Sequence, residues 1–339
     1  MLRNNHNRLN HSSGFTIVEL LVVIVVIGVL AAITIVSYTG IAQRAITSSL
    51  SVDLDNVAKK LKLDQVVDSS NNYPASLALA NGARGITVDS STTLAYTVSS
   101  TTNPPTFCLS AAKSGQNYNT TQDGVISPGI CPVLNLDAGN PTSYPGSGTT
   151  WTDLSGGGNS GTLYGGVGYS SANKGYLIFD GIDDYAVIPN KLSGTNGTIS
   201  FFIKDNSPGA WSDVLTIDTG VDGTASRVEQ AGANTYQWYG QGGFVSGDVI
   251  FIHNGSQWDY IALTFDGANA KSYKNGVLVY QRAVSGNFPA ATNMNLGCRT
   301  IICYGFWKGN LANLAVYNRA LSVDEVNQNF NFLRGRYGI

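Results

Sequence analysis

The stretch Ser12 to Ala32, SSGFTIVELLVVIVVIGVLAA, decides the first half of the fold, because from Phe15 to Val36 its only charged residue is Glu19. A run of that length matches the roughly 20 apolar residues that cross a bilayer as a helix. A carboxylate near one end of such a helix costs about 1 to 3 kcal/mol to keep in the membrane, so a partner for Glu19 is expected. The preceding leader, MLRNNHNRLNHSSG, carries Arg3 and Arg8 and no acid, as a segment retained on the cytoplasmic side does. A secretory signal has an apolar core of about 7 to 15 residues and then a small-x-small cleavage site. Here the run is longer and the triplet Gly40-Ile41-Ala42 lies past its end, whereas Gly14 stands directly before it.

Gly14-Phe15-Thr16-Ile17-Val18-Glu19 resembles the processing site of type IV prepilins and pseudopilins. The resemblance implies a leader over residues 1–14, cut after Gly14 by a prepilin peptidase, and methylation of the new amino terminus on Phe15. It also implies a filament in which Glu19 of one subunit meets the Phe15 amine of a neighbour. At about 4 Å and an effective dielectric near 20, such a pair attracts by about 4 kcal/mol before desolvation, enough to offset burial and set axial register.

Charged residues are 12% of the 339-residue chain and Gly numbers 39, a composition of exported β-rich proteins. The formal net charge is −2, and loss of Arg3 and Arg8 with the leader leaves −4. Charge therefore gives no support to nucleic-acid binding. Beyond the membrane run, Ile46, Leu50, Leu54, Val57 and Leu61 recur at helical spacing. This predicts one helix, with 15–36 as transmembrane and filament-core segment and 37–67 as its continuation. Turn residues around Tyr73-Pro74 end it. Strands are expected in ITVDSSTTLAYTVSS and TFCLSAAKSG, then a loop, QNYNTTQDGVISPGICP. That loop resembles the disulfide-closed carboxy-terminal loop of pilins, with Cys108 and Cys131 in the matching places. Residues 68–132 then form a small sheet and disulfide loop, and 15–132 an α+β pilin-like module. Cys298 and Cys303 form the second local pair of cysteines. No C-x-x-C is present and His253 alone lies outside the leader, so zinc is not expected, and in an exported protein two disulfides are the better reading than buried free thiols.

From Val133 onward short apolar or alternating segments are separated by Gly, Asn, Asp and Pro, which indicates an antiparallel sandwich. Asn275-Gly276 marks a type I′ hairpin. The segments WTDLSGGGNSGTLYGG, LIFDGIDDYAVIP, WDYIALTFDG, KNGVLV and FWKGNLANLAVYNRALSVDEV resemble the laminin G-like, concanavalin A-like jelly-roll family, in family order, over 133–339. Trp151, Trp258 and Trp307 are expected in the core. Cys131-Pro132-Val133 leaves almost no linker, so a defined angle between the modules is expected.

By that resemblance, Asp183 and Asp184 are the calcium candidates, against a solvated turn; no cofactor is otherwise required. In NTYQWYGQGGF, Tyr236, Trp238 and Tyr239 among amide residues have the chemistry of a carbohydrate platform. The alternation of Tyr236 and Trp238 fits one face of an ordinary strand equally well. The chain has three Glu, at 19, 229 and 325, and no E-x-D-x-x-E pattern, nucleophile elbow or phosphate loop, so catalysis is not expected. The reading is a pilin-like subunit, minor or at a tip, inserted in the cytoplasmic membrane and then displayed at the cell surface. Its expected partners are the peptidase, other pilin subunits and a carbohydrate or cell-surface ligand. The alternatives are a pseudopilin of a secretion or DNA-uptake machine, and an anchored lectin that never assembles.

Overall fold

The protein is seen in a computed structural model describing residues 17–206, 211–219, 226–232, 235–240, 248–253, 255, 257–284, 286–299 and 304–339, with side chains described for these except at 35–40, 239–240 and 248. Gly14, Phe15 and Cys303 lie outside the described residues. Helix α1 spans Ile17–Val67 with Glu19 in its first turn. The chain divides into two compact units, Met1–Ser49 and Leu50–Ile339.

In the first unit, Ile17–Thr34 is long and apolar enough to cross a membrane, and none of that window is buried within the protein. Thr34 returns its hydroxyl to the carbonyls of Leu30 and Ala31 at 2.8 and 2.9 Å, so the helix satisfies this polar group itself.

In the second unit the rest of the stripe is buried, with Leu50, Leu54 and Leu61 at 0% exposure and Val57 at 2%. A single turn, α2 (Ala80–Ala83), is tied to α1 because the Asp64 carboxylate accepts from the Asn81 and Gly82 amides. The small antiparallel sheet runs in order β1 (Thr93–Ser99), β2 (Thr106–Lys113), β3 (Gln116–Thr121) and β4 (Ile126–Pro128). The last two strands lie in the segment expected as loop. Pairing with β2 and β3 decides them, since QNYNTT has little apolar alternation of its own. Cys108 in β2 is bonded to Cys131 across a separation of 23 residues, a closure that stabilises by about 3 kcal/mol through the unfolded state.

The sandwich begins at β5 (Leu134–Asp137), β6 (Thr150–Trp151), β7 (Gly161–Tyr164) and β8 (Gly168–Ser170). It continues through β9 (Tyr176–Asp180), β10 (Tyr185–Pro189), β11 (Asn196–Asp205), β12 (Trp211–Ile217), β13 (Ser226–Ala231) and β14 (Thr235–Gly240). Strands β15 (Asp248–Ile252), β16 (Asp259–Asp266), β17 (Asn269–Lys274), β18 (Val277–Ala283), β19 (Asn293–Leu296) and β20 (Lys308–Tyr317) complete it. One sheet has the order β15-β14-β13-β12-β19-β10-β7-β6. The other runs β18-β17-β16-β11-β20-β9-β8, with β5 also pairing β20. Every pairing is antiparallel, and one apolar core containing Trp151, Phe201, Trp307 and Leu314 draws on both sheets. Trp258 is also buried, at 5% exposure, but on the outer face of the second sheet. The β17–β18 turn has positive φ at Asn275 (51°) and Gly276 (82°), as the Asn-Gly signal predicts.

A helix that the sequence reading did not anticipate, α3 (Val323–Leu333), covers part of the outer face of the second sheet with Val326 and Phe330. Its start is a capping box, in which the Ser322 hydroxyl accepts from the Glu325 amide and the Glu325 carboxylate accepts from the Ser322 amide. Its signal is the S-x-x-E spacing in RALSVDEV, directly after the strand motif.

The small sheet and sandwich meet within Leu50–Ile339. The Asp153 carboxylate accepts from the amides of Asn135, Ser155 and Asn159, each at 2.9 Å, and so shapes the glycine-rich loop after β6. Gly156 of that loop has φ +76°, and a Cβ there would stand 2.3 Å from the Thr97 carbonyl oxygen of β1. Only glycine lets the backbones approach this closely.

Candidate functional site

Strand β9 ends at Asp180 and β10 opens after Asp184, with Gly181 (φ 80°) turning the chain between them. The Asp180 carboxylate accepts from the Ile182 amide at 2.7 Å, and Asp184 accepts from the Asp180 amide at 2.9 Å. This brings one carboxylate oxygen from each of Asp180, Asp183 and Asp184 within 4.8 Å of one another. Asp180 and Asp183 are exposed, while Asp184 is 3% exposed. Burial raises the proton affinity of the Asp184 carboxyl, the Asp180 amide offsets part of this, and the carboxylates of Asp180 and Asp183 raise it further. Three clustered carboxylate oxygens are of the type that could hold a hard divalent cation such as calcium. Asp180 is the third member. Its signal was the D-G-x-D-D spacing, which a strand-turn-strand folds onto one point.

The aromatic segment resolves differently from the carbohydrate expectation. Tyr236 and Trp238 are 0% and 4% exposed and belong to the sandwich core. Tyr236 stacks on Phe251 with ring centroids 4.6 Å apart, and Trp238 packs on Phe265 at 5.1 Å. Residues two apart on a strand share a face, and here that face is the interior, so these two rings form no surface platform. The side chain of Tyr239 lies outside the described set.

Behind Tyr236 is a buried polar network. Asp205 Oδ2 accepts from Gln230 Nε2 at 2.7 Å and from the Tyr236 hydroxyl at 2.9 Å, while Trp307 Nε1 donates to that hydroxyl at 3.3 Å. His253, 0% exposed, accepts from the Asp205 amide through Nε2 at 3.1 Å and places Nδ1 2.6 Å from Asp259. These groups satisfy one another in the core.

On the opposite face of β13 from core residue Val228, Arg227 and Glu229 join Asp213 and Arg299 in an ionic cluster. Arg299 Nε donates to Asp213 at 2.5 Å and its Nη2 to Glu229, and Arg227 lies 3.4 Å from both acids. Cys298 beside it is buried and disulfide-bonded, while its expected partner Cys303 is outside the described residues. Burial pushes the Asp213 carboxyl up to about 6, and the Arg299 hydrogen bond only partly offsets it. An acid that holds its proton more tightly when folded contributes favourably at low pH, and that contribution is lost as pH rises through its folded pKa. Asp213→Asn is therefore expected to remove a fall of about 2 kcal/mol between about pH 4.5 and 7.5. Urea melts of both proteins at the two pH values check this; equal slopes in variant and parent would exclude it.

Residues 180–327 match the family model described as the Concanavalin A-like lectin/glucanases superfamily, and residues 9–35 match the Prokaryotic N-terminal methylation motif. The chain joins a pilin-type methylation motif to a concanavalin A-like sandwich. Strand β5 pairing with β20 extends the sandwich ahead of the matched segment. Among solved structures, the chain is similar to the binding domain of Paraclostridial Mosquitocidal Protein 1, with 16% identity, TM-score 0.47, and 59% of this chain and 52% of that one covered. It is also similar to the receptor binding domain of botulinum neurotoxin D, with 14% identity, TM-score 0.48 and coverage of 60% and 52%. A third is Domain 4 of AbnA, a GH43 extracellular arabinanase from Geobacillus stearothermophilus, in complex with arabinotriose, with 17% identity, TM-score 0.45 and coverage of 58% and 97%. The chain spans about half the length of the two toxin domains. No curated protein matches it.

Proposed function

We propose that this chain is a pilin-like subunit that displays a lectin-like binding domain at the cell surface. The observation that carries the reading is the coincidence, at one end of α1, of the methylation motif, an unburied apolar span and Glu19 as its one charge. Cleavage after Gly14 creates a charged amine on Phe15, which the Glu19 carboxylate of a neighbouring subunit neutralises in the apolar filament core. The membrane holds the subunit before assembly, and the sandwich stands outside it. A domain of about 200 residues crowds every filament position, so a minor or tip subunit fits better than an abundant one. Determining the amino-terminal sequence and mass from cells with and without the prepilin peptidase tests this. The expected result is a methylated start at Phe15 that depends on the peptidase; an intact leader would make the chain a membrane-anchored binding protein.

Binding suits the sandwich better than hydrolysis, because its glutamates hold structure. Glu229 pairs with Arg227 and Arg299, and Glu325 caps α3 and pairs with Arg319. The acidic turn at Asp180, Asp183 and Asp184 is read as a calcium site that rigidifies the β9–β10 edge. Millimolar calcium is expected to raise the melting temperature of the full-length protein by roughly 4 to 8 °C, given about 2 kcal/mol of linkage, and Asp183→Ala to abolish that rise. A parent protein whose melting ignores calcium would remove the site.

A further inference from the structure

A cleft of about 560 Å³ opens within Leu50–Ile339 between the small sheet and the sandwich. That volume falls in the range of small-molecule sites, which favour such junctions. Its floor is the outer face of β5 and β20. Leu134, Leu136 and Leu314 face the core, so Asn135, Asp137 and Asn313 face the cleft. One wall is β3–β4 and the other is the end of α3, which carries Phe332.

The lining carries charge of both signs, held apart. Asp123, exposed on the β3–β4 turn, accepts from the Thr121 hydroxyl at 2.7 Å, the Val125 amide at 3.0 Å and Asn140 Nδ2 at 2.7 Å. All three donors are neutral, and no cation pairs with this carboxylate among the described residues. Lys174 is exposed in the lining and has no carboxylate partner among the described residues. Near it, Arg336 spends both terminal nitrogens on Asp137, at 2.7 and 2.9 Å, and its buried Nε has no acceptor among the described residues. One turn separates the two signs. A Cβ on Gly139 would collide with the Arg336 guanidinium and stand 2.8 Å from the Lys174 carbonyl oxygen, while the next residue, Asn140, holds Asp123. On the floor, Asn313 is 6% exposed and accepts from the Phe202 amide at 3.2 Å through Oδ1, leaving Nδ2 without a partner among the described residues. Asn135, on the paired strand, bonds only through its backbone. Val125 and Phe332, 52% and 42% exposed, add apolar surface on opposite walls.

We propose that this cleft binds a short zwitterionic peptide, of about three residues since such a chain spans at most about 10 Å. Its ammonium group meets Asp123 and its carboxylate meets Lys174, each an ion without a counter-charge in the free protein. The amides of Asn135 and Asn313 pair with the peptide's own N–H and C=O groups, and Val125 and Phe332 receive apolar side chains. A lone cation or a lone anion would use one end and leave the other bare. An uncharged ligand would use neither. The inference goes beyond display at the surface, and binding is tested on the protein itself, so a failure here and a failure of filament entry are separate results.

The test is calorimetric titration of the full-length protein, at low salt in a non-ionic polyoxyethylene detergent, with trialanine, trileucine and triserine at millimolar concentration. Saturable binding of at least one is expected, weakened about fivefold or more when its amine is acetylated or its carboxylate amidated. Asp123→Asn should weaken the free peptide by a similar factor and leave the acetylated one unchanged. Lys174→Gln should do the same for the free and the amidated peptide. Lys174 makes no ion pair among the described residues, so this variant keeps the test open if loss of the Asn140 contact unfolds Asp123→Asn. No saturable binding across the three peptides would overturn the proposal. So would binding that is indifferent to blocked termini, or that Lys174→Gln leaves unchanged for the free peptide.

Discussion

Glu19→Ala is expected to leave cleavage after Gly14 intact and to remove the subunit from sheared surface filaments. On the proposed reading the peptidase would act on the leader junction, whereas Glu19 would be needed only when helices pack against one another. Between Phe15 and Val36 no other residue is charged, so nothing else in the span can meet a neighbour's amine. The attraction of about 4 kcal/mol at about 4 Å corresponds to roughly a thousandfold in an association equilibrium before desolvation is subtracted. A drop of tenfold or more in the sheared fraction is therefore a conservative expectation. Immunoblots of shear and membrane fractions, with the mass of the membrane-held form, read both parts at once. A variant recovered from filaments at the parental level would show that the carboxylate has no partner in the assembly.

The second large effect is expected in the core. Asp205→Ala removes the acceptor for Gln230 Nε2 and the Tyr236 hydroxyl, in a site where Asp205 is 2% exposed and Gln230 and Tyr236 are 0%. Each buried donor that loses its acceptor costs about 1 to 3 kcal/mol, so a loss of about 4 kcal/mol and a fall of roughly 10 °C in melting temperature are expected. Asp205→Asn, which keeps an acceptor oxygen, should recover more than half of that. Thermal melts of the three proteins decide it, and an Ala variant melting within about 2 °C of the parent would mean that water replaces the carboxylate.

Much of the architecture could be read from local pattern. The apolar run and its lone Glu19, the stripe Leu50, Leu54, Val57 and Leu61, the Asn275-Gly276 turn and the core tryptophans all obey rules that act within a few residues. The candidate sites were less accessible. Tyr236 and Trp238 carry the same side chains whether they face solvent or core, and only the second sheet packing over them decides which. Asp180 joins Asp183 and Asp184 because a turn folds back on itself, which spacing hints at but does not require. Strand β3 exists because β2 offers it an edge, and β4 because β3 does, not because QNYNTT and ISP favour extension.

The sequence by itself therefore determined the order of parts: a methylation motif, an apolar span with one charge, a small α+β module and a jelly-roll sandwich. Those features are set by hydrophobic period and turn chemistry, which are local. Tertiary structure alone decided which aromatics are buried, which carboxylates meet and where unspent amides line a cleft. Asn135 and Asn313 are 178 residues apart in sequence and sit on the paired strands β5 and β20 of one sheet. Their shared hydrogen-bonding face is a property of that pairing, and no window of sequence contains it.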